Sequence, residues 1–195
     1  NKQDIKSEAF VSGDIGLITD SKFGDATLLE DSNDKMKKNI SKMDVVPVIT
    51  GFGGKNEEGK FTTFNRGGSD YVAALIGAAV DADAIQIWTD VNGIMSSDPR
   101  IVENARTIPE LSFDEASELP YFGAKVLHPK TILPAIEKNI PVLILNTFEP
   151  EHPGSRIVKE SNTVDGIIKA ISYKKGITII DVKSSRMIET HGYLL

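Results

Sequence analysis

Six consecutive residues, Asn65-Arg66-Gly67-Gly68-Ser69-Asp70, carry the densest chemistry in the chain. Two glycines leave backbone amides uncovered, a serine and an aspartate follow, and Tyr71 to Ala82 has the composition of a helix. Uncovered N–H groups at the positive end of a helix dipole make a place for an anion. Arg66 adds a planar fork suited to a carboxylate or a phosphate. A tight turn capped by Ser69, with Arg66 in water, uses the same residues, and the hexapeptide alone leaves both readings open.

A second group follows the apolar run Ala84-Ile85-Gln86-Ile87-Trp88, which reads as a strand ending in Thr89 and Asp90. Ligands collect at the carboxyl ends of strands in open α/β sheets, so these two residues stand where a site is expected. The loop from Val91 to Arg100 is rich in turn formers. Its Asp90 and Asn92 do not make a calcium loop, because the later glycine and glutamate ligands are out of register. Lys125, beside Gly123 and Ala124, either reaches a phosphate or stands bare on the surface. The three histidines have no metal-ligand spacing, and no protein metal site is expected. Gly51-Phe52-Gly53-Gly54 permits close ligand approach. It is not a dinucleotide fingerprint, since Asn56 stands where the third glycine belongs, and no Walker A pattern occurs.

The elements that must position these groups follow from periodicity and punctuation. Ile15 to Thr19 predicts a short strand leading to Asp20 as a turn residue. Asn33 to Lys42 predicts an exposed helix entered from Ser32 or Asn33, its four lysines solvated. Val45 to Thr50 predicts a buried strand, and Phe61 to Phe64 a hairpin strand that delivers Arg66. The helix after Asp70 is apolar nearly all round and belongs beneath other layers. Ser112-Phe113-Asp114-Glu115 is a capping box opening a helix through Leu119. His128-Pro129 starts another helix through about Lys138, and Ile140 to Leu145 is a further buried strand. Strands alternating with helices predict a layered α/β domain with a largely parallel sheet. The polar stretch 159–166 divides a domain of residues 1–158 from a tail, 167–195. Strands at Ile167–Ile171 and Ile177–Val182 and a helix entry from Met187 are expected in that tail, which is too short to bury a core of its own.

At 195 residues, 40% hydrophobic and 26% charged, the chain has ordinary globular composition. A net charge of -6 repels a phosphate backbone, so no nucleic-acid partner is expected. No apolar run approaches the roughly 20 residues that span a bilayer, and no membrane partner is expected. The absence of cysteine excludes a disulfide scaffold and fits a reducing, cytoplasmic setting. Because the chain opens on Asn1 and stops at Leu195 inside an apolar pattern, a piece of a longer protein is expected.

Four motifs fall in one order: Arg66-Gly67-Gly68-Ser69-Asp70-Tyr71, Trp88-Thr89-Asp90-Val91, Asp98-Pro99-Arg100, and Phe122-Gly123-Ala124-Lys125-Val126-Leu127-His128-Pro129. In these, from about Ser7 onward, the sequence resembles the aspartokinases of the amino-acid kinase family. The resemblance implies an αβα sandwich of the amino-acid kinase, or carbamate kinase-like, type followed by the start of an ACT regulatory domain. It implies Mg·ATP-dependent phosphorylation of the side-chain carboxylate of L-aspartate, on the route to lysine, threonine and methionine. Arg66, Gly67, Gly68 and Ser69 would hold aspartate, and Asp70 would orient the cations around the transferring phosphoryl group. Thr89, Asp90, Met95, Arg100 and Lys125 would contact ATP, with Mg2+ bound through the nucleotide. Met187 and Gly192 would lie at an effector site for an amino acid such as lysine, and the ACT region would join two copies as a homodimer.

Two departures from the family pattern stand out: Asn65 replaces a usual glycine, and Met95 stands where a tyrosine commonly packs near the nucleotide. The family's amino-terminal half, with its Lys-Phe-Gly-Gly loop and substrate-binding glutamate, is not in this chain, which implies that the piece alone is catalytically incomplete. Other acceptors (glutamate, a nucleoside monophosphate or carbamate) and a non-catalytic amino-acid sensor are the competing expectations.

Overall fold

The spine of the molecule is helix α2 (Gly68–Ala79). Around it the computed structural model describes residues 4–65, 67–119, 129–161, 168–171, 176 and 178. No position from Asp70 to Val80 is exposed, as the nearly continuous apolar sequence predicts. Val72, Leu75 and Ala79 form one stripe, spaced to share a helix face, and close on Leu17, Met36 and Phe64. Ala74 lies outside that stripe and joins Ile85, Leu111, Phe113, Val142, Ile144 and Ile157 in a second core. One helix thus ties both cores together, and its amino terminus is fixed by packing on two sides.

Among the described residues the strands divide among three sheets. β1 (Ser7–Phe10) runs parallel to β3 (Val46–Ile49). β2 (Ile18–Thr19) runs parallel to β4 (Gly53–Asn56), which pairs antiparallel with β5 (Phe61–Thr63). The third sheet takes the order β6 (Ile85–Thr89), β8 (Val142–Asn146), β9 (Ser155–Val158), β7 (Glu110–Ser112). In it β6–β8 and β7–β9 are parallel and β8–β9 antiparallel. The fold is α/β with mostly parallel pairing, as expected. Helix α1 (Ser32–Ile40) packs on α2. Helix α3 (Phe113–Glu118) opens on the expected capping box: the Ser112 hydroxyl accepts from the Glu115 amide at 3.1 Å, and the Glu115 carboxylate accepts from the Ser112 amide at 2.8 Å.

Several expectations are corrected. The strand at Ile15–Thr19 shrinks to Ile18–Thr19, because the chain turns from Ser12 to Leu17: the Asp14, Gly16 and Leu17 amides bond locally, Leu17 to the Ser12 carbonyl at 3.1 Å. α1 is not capped by Ser32 or Asn33. Asp31 occupies the cap without a side-chain bond, while the buried Ser32 hydroxyl donates to the Ile18 carbonyl at 2.7 Å and accepts from the Ile18 amide at 3.1 Å. β3 is half-wet, with Val46 and Val48 53% and 60% exposed on one face. α2 begins at Gly68, before the expected Tyr71, and ends at Ala79. The helix expected from His128 to Lys138 is a 3-10 turn, Pro129–Ile132, followed by α4 (Leu133–Glu137). Pro134 has no N–H for the continuing ladder, so one uninterrupted α-helix is not available there. Residues 168–171 carry no strand; they lie against the body, with Ala170 packed on the second core. His128, the strand at Ile177–Val182 and the helix entry at Met187 lie outside the described residues, apart from 178, which is irregular.

Candidate functional site

The carboxyl ends of β1 and β3 arrive together, because the Thr50 amide donates to the Phe10 carbonyl at 3.0 Å. The Ser12 amide donates to Thr50 Oγ1 at 3.0 Å, and the Ser12 hydroxyl donates to the Gly53 carbonyl. These bonds pin the Gly51–Gly54 segment across the first turn of α2. A Cβ on Gly68 would lie 2.8 Å from Phe52 Cδ2 and 3.1 Å from the Phe52 carbonyl oxygen, and a Cβ on Gly51 would lie 3.1 Å from Ser69 Oγ. Only glycines permit that approach. Phe52 itself holds φ at +74°, a conformation that costs a non-glycine residue energy and collects at functional sites.

Gly67 is the N-cap of α2, in the left-handed region at φ 74° and ψ 20°, and no side chain caps the helix. Ser69 therefore sits inside the first turn as an exposed residue, not as the cap of a tight turn. The first helical bond observed is Tyr71 N–H to the Gly67 carbonyl at 3.0 Å. The amides of Gly68, Ser69 and Asp70 have no partner in an earlier helical turn and stand at the positive end of the dipole. Asp70, beside them, is half-buried, and burial pushes its carboxyl pKa above the ordinary value. Arg66 lies outside the described residues.

The second group lies at the carboxyl end of the third sheet. Thr89 and Asn146 are register partners at the ends of β6 and β8, and the Thr147 amide closes on the Thr89 carbonyl at 2.8 Å. The Thr89 hydroxyl donates to Asp90 Oδ1 at 3.1 Å, and the Asp90 carboxylate is exposed. Asn92 Oδ1 accepts from Asn146 at 2.5 Å, while Asn92 Nδ2 donates to Glu149 at 3.1 Å. Met95 pairs with Thr107 in an isolated antiparallel bridge, and the Thr107 hydroxyl, which donates to the Asn92 carbonyl at 3.0 Å, lies 3.5 Å from the Met95 sulfur. Arg100 grips Asp98 through its guanidinium, Nε to Oδ1 at 2.9 Å and Nη2 to Oδ2 at 2.6 Å, and through its backbone amide, and together these hold the Asp98 pKa at about 2. The Arg100 side chain is 83% exposed, and Asp98 orients its fork at the surface. Lys125, Met187 and Gly192 lie outside the described residues.

A groove of about 730 Å3 runs beside α2, walled by Leu28, Phe64, Tyr71, Leu75 and Leu133, with Asn65 also lining it. Thr89, Asp90, Met95 and Arg100 take no part in its wall. Cavity size thus points to the side of α2, whereas the uncapped amides and strand-end carboxylates mark where phosphate chemistry fits. Among the described residues no three His, Cys, Asp or Glu side chains gather as metal ligands. The oxygens of Asp70 and Asp90 still suit a hard cation that arrives on phosphates.

Sequence reasoning missed Ser12, Thr50, Asn92, Asn146 and Glu149. Asn146 was within reach: it follows an apolar strand run just as Thr89 does, and parallel neighbours end side by side. Ser12 and Thr50 act through long-range bonds that leave no local trace.

The amino acid kinase family model matches residues 2–146. The chain is 40% identical over 199 aligned positions to chloroplastic aspartokinase 3 of Arabidopsis thaliana, covering 100% of this chain and 36% of that protein. It superposes on Escherichia coli aspartokinase III in complex with aspartate and ADP (R-state) with a TM-score of 0.73 at 35% identity, covering 83% of this chain and 36% of that one. The same enzyme in complex with lysine and aspartate (T-state) gives a TM-score of 0.72, again at 35% identity, with 83% and 37% covered. The chain thus spans little more than a third of the length of these relatives.

Proposed function

This chain belongs to the amino acid kinase family, and we propose that, in the protein that carries it, these residues phosphorylate the side-chain carboxylate of L-aspartate with Mg·ATP, giving 4-phospho-L-aspartate and ADP. The observation that carries the reading is the 40% identity to an aspartokinase along the whole chain. The uncapped turn at Gly67–Asp70 supports it independently, since it suits an anionic substrate.

The residue types fit the chemistry. A carboxylate acceptor is already a nucleophile, so no base has to remove a proton from it. What remains is to bring two anions together and to neutralise charge on the transferring group. The amides of Gly68 and Ser69 and the fork of Arg66 hold the aspartate carboxylates, and Gly67 sets the angle at which the turn presents them. Asp70 acts as an anion that orients the cationic groups near the phosphates; those cations offset what burial takes from its charge. Thr89, Asp90 and Arg100 contact the nucleotide with Lys125, and Met95 packs beside it. Mg2+ bound through the nucleotide supplies further charge neutralisation.

The same reading includes an amino-acid effector at Met187 and Gly192, a homodimer through the region from residue 167 onward, and a cytoplasmic setting. The lysine-bound T-state of the E. coli enzyme supports lysine as the effector. An acceptor panel tests the assignment: ADP release from Mg·ATP is followed with L-aspartate, L-glutamate, a nucleoside monophosphate and carbamate. Release stimulated by aspartate alone and abolished by Arg66→Ala is expected. Stimulation by another acceptor and not by aspartate overturns the assignment.

A further inference from the structure

Residues 168–171 cross from the tail back to the body and touch it at three points. The Lys169 ammonium lies 2.8 and 2.9 Å from the two oxygens of Glu115 and 3.2 Å from the Ser161 hydroxyl. The ammonium donates to Glu115 Oε2 and to the Ser161 hydroxyl and forms an ion pair with the Glu115 carboxylate. The Lys169 side chain is only 18% exposed. Glu115 is also the reciprocal member of the α3 capping box, so one carboxylate serves both the helix start and the tail. Ala170 packs on the second core. The Ile171 amide then donates to the Ser96 carbonyl at 2.8 Å.

Ser96 is held from its other sides as well. Its amide donates to the Arg106 carbonyl at 2.8 Å, and its hydroxyl accepts from the Arg106 amide at 3.0 Å. It lies between Met95 and Arg100, in the loop assigned to ATP, and α3 runs by sequence into the segment bearing Lys125. The two anchors of residues 168–171 therefore act on the two stretches that flank the nucleotide side of the site.

We propose that Lys169 is a positioning residue for the nucleotide: through Glu115 it fixes the start of α3 and, with the Ile171 amide on Ser96, holds the 95–100 loop in the register that binds ATP. The proposal rests on the kinase reading above. Breaking the Lys169–Glu115 contact leaves the helix cap short of a charged partner and frees one side of the loop, while the Gly67–Asp70 turn has no bond to the strap.

The test compares Lys169→Met, Lys169→Arg and the exchanged pair Lys169→Glu with Glu115→Lys, all in the protein that carries this chain. Calorimetry reads the dissociation constant of Mg·ADP, and steady-state kinetics reads the KM for ATP and for aspartate separately. Lys169→Met is expected to weaken Mg·ADP and raise the KM for ATP by roughly 3- to 10-fold, within the range seen for residues that couple elements without touching ligand. The KM for aspartate stays within about twofold, Lys169→Arg restores most of the loss, and hydrogen exchange at Ser96 rises in Lys169→Met. If the wild type binds Mg·ADP and Lys169→Met binds it equally well, the strap proposal is wrong whatever happens to Tm. If nucleotide and aspartate KM rise together with no rescue by arginine, the role is structural and the proposal is also overturned. A wild type that binds no nucleotide refutes the kinase reading and, with it, the inference that rests on it.

Discussion

Replacing Gly68 by alanine tests whether the close approach of the Gly51–Gly54 segment to α2 is what builds the anion site. The new methyl would lie 2.8 Å from Phe52 Cδ2 and 3.1 Å from both the Cα and the carbonyl oxygen of Phe52. The ring can turn away; the backbone contacts cannot be relieved without moving Phe52 by a few tenths of an ångström. That movement strains the bond from the Phe64 amide to the Phe52 carbonyl, now 2.9 Å. Overpacking of this kind costs about 1–3 kcal/mol, and the lost freedom of the unfolded chain returns about 0.4–1 kcal/mol, leaving about 1–2 kcal/mol of destabilisation.

Tm should fall by roughly 2–8 °C in calorimetry, and kcat/KM for aspartate by about tenfold or more, because the amides move relative to the carboxylate they hold. A second substitution, Phe52→Gly, removes the ring and suits the φ of +74°. In the Phe52→Gly/Gly68→Ala double variant the Tm losses should be less than additive, with a coupling of at least about 0.5 kcal/mol. Gly68→Ala with Tm within about 1 °C of wild type and unchanged kcat/KM would refute the reasoning, since the backbone would then have absorbed the methyl without cost.

Asp70→Asn should raise Tm at neutral pH while abolishing turnover, since burial raises the Asp70 pKa and its charge therefore costs stability above that pKa. The gain should vanish as pH falls below the ordinary carboxyl value, and a lower Tm at pH 7 would contradict the assignment. Asp98 titrates in the other direction: with its folded pKa at about 2, the stability from the Arg100 contact is full above 3.8 and is lost as pH falls from 3.8 toward 2. The carbon shift of its carboxyl should show that midpoint in an NMR titration and move up in Arg100→Ala; a wild-type midpoint near 3.8 would mean that the fork is not engaged. Ser112→Ala removes half of the α3 capping box and should cost about 1 kcal/mol, or roughly 2–4 °C in Tm, with no loss if α3 is held by packing alone.

The helices and the long strands were legible where one local signal sufficed. The apolar run of α2, the Ser112-Glu115 box and the β6 and β8 runs each carry their own period or cap, and each appears close to its expected place. What was not legible is non-local. β1, β7 and β9 are three or four residues long, too short for a period of two to declare itself, and they exist because a neighbour offers a ladder. Ser32 looks like a helix cap but spends its hydroxyl on Ile18, fourteen residues away. The position of Thr89 at a strand end, with Asp90 after it, and of the glycines at 67 and 68 at a helix start was legible from type and pattern. Their supports were not: Ser12 and Thr50 hold the Gly51–Gly54 segment, and Asn146 and Glu149 hold Asn92, across separations that sequence spacing does not reveal.

The central claim is that an aspartate carboxylate receives the phosphoryl group at the amino terminus of α2. Hydroxylamine trapping tests it most directly, because an acyl phosphate yields a hydroxamate and a phosphate ester does not. With the protein that carries this chain, aspartyl hydroxamate should form only when Mg·ATP and L-aspartate are both present, and Ser69→Ala and Arg66→Ala should each suppress it. ADP production without hydroxamate, or hydroxamate formation indifferent to both substitutions, would contradict the account.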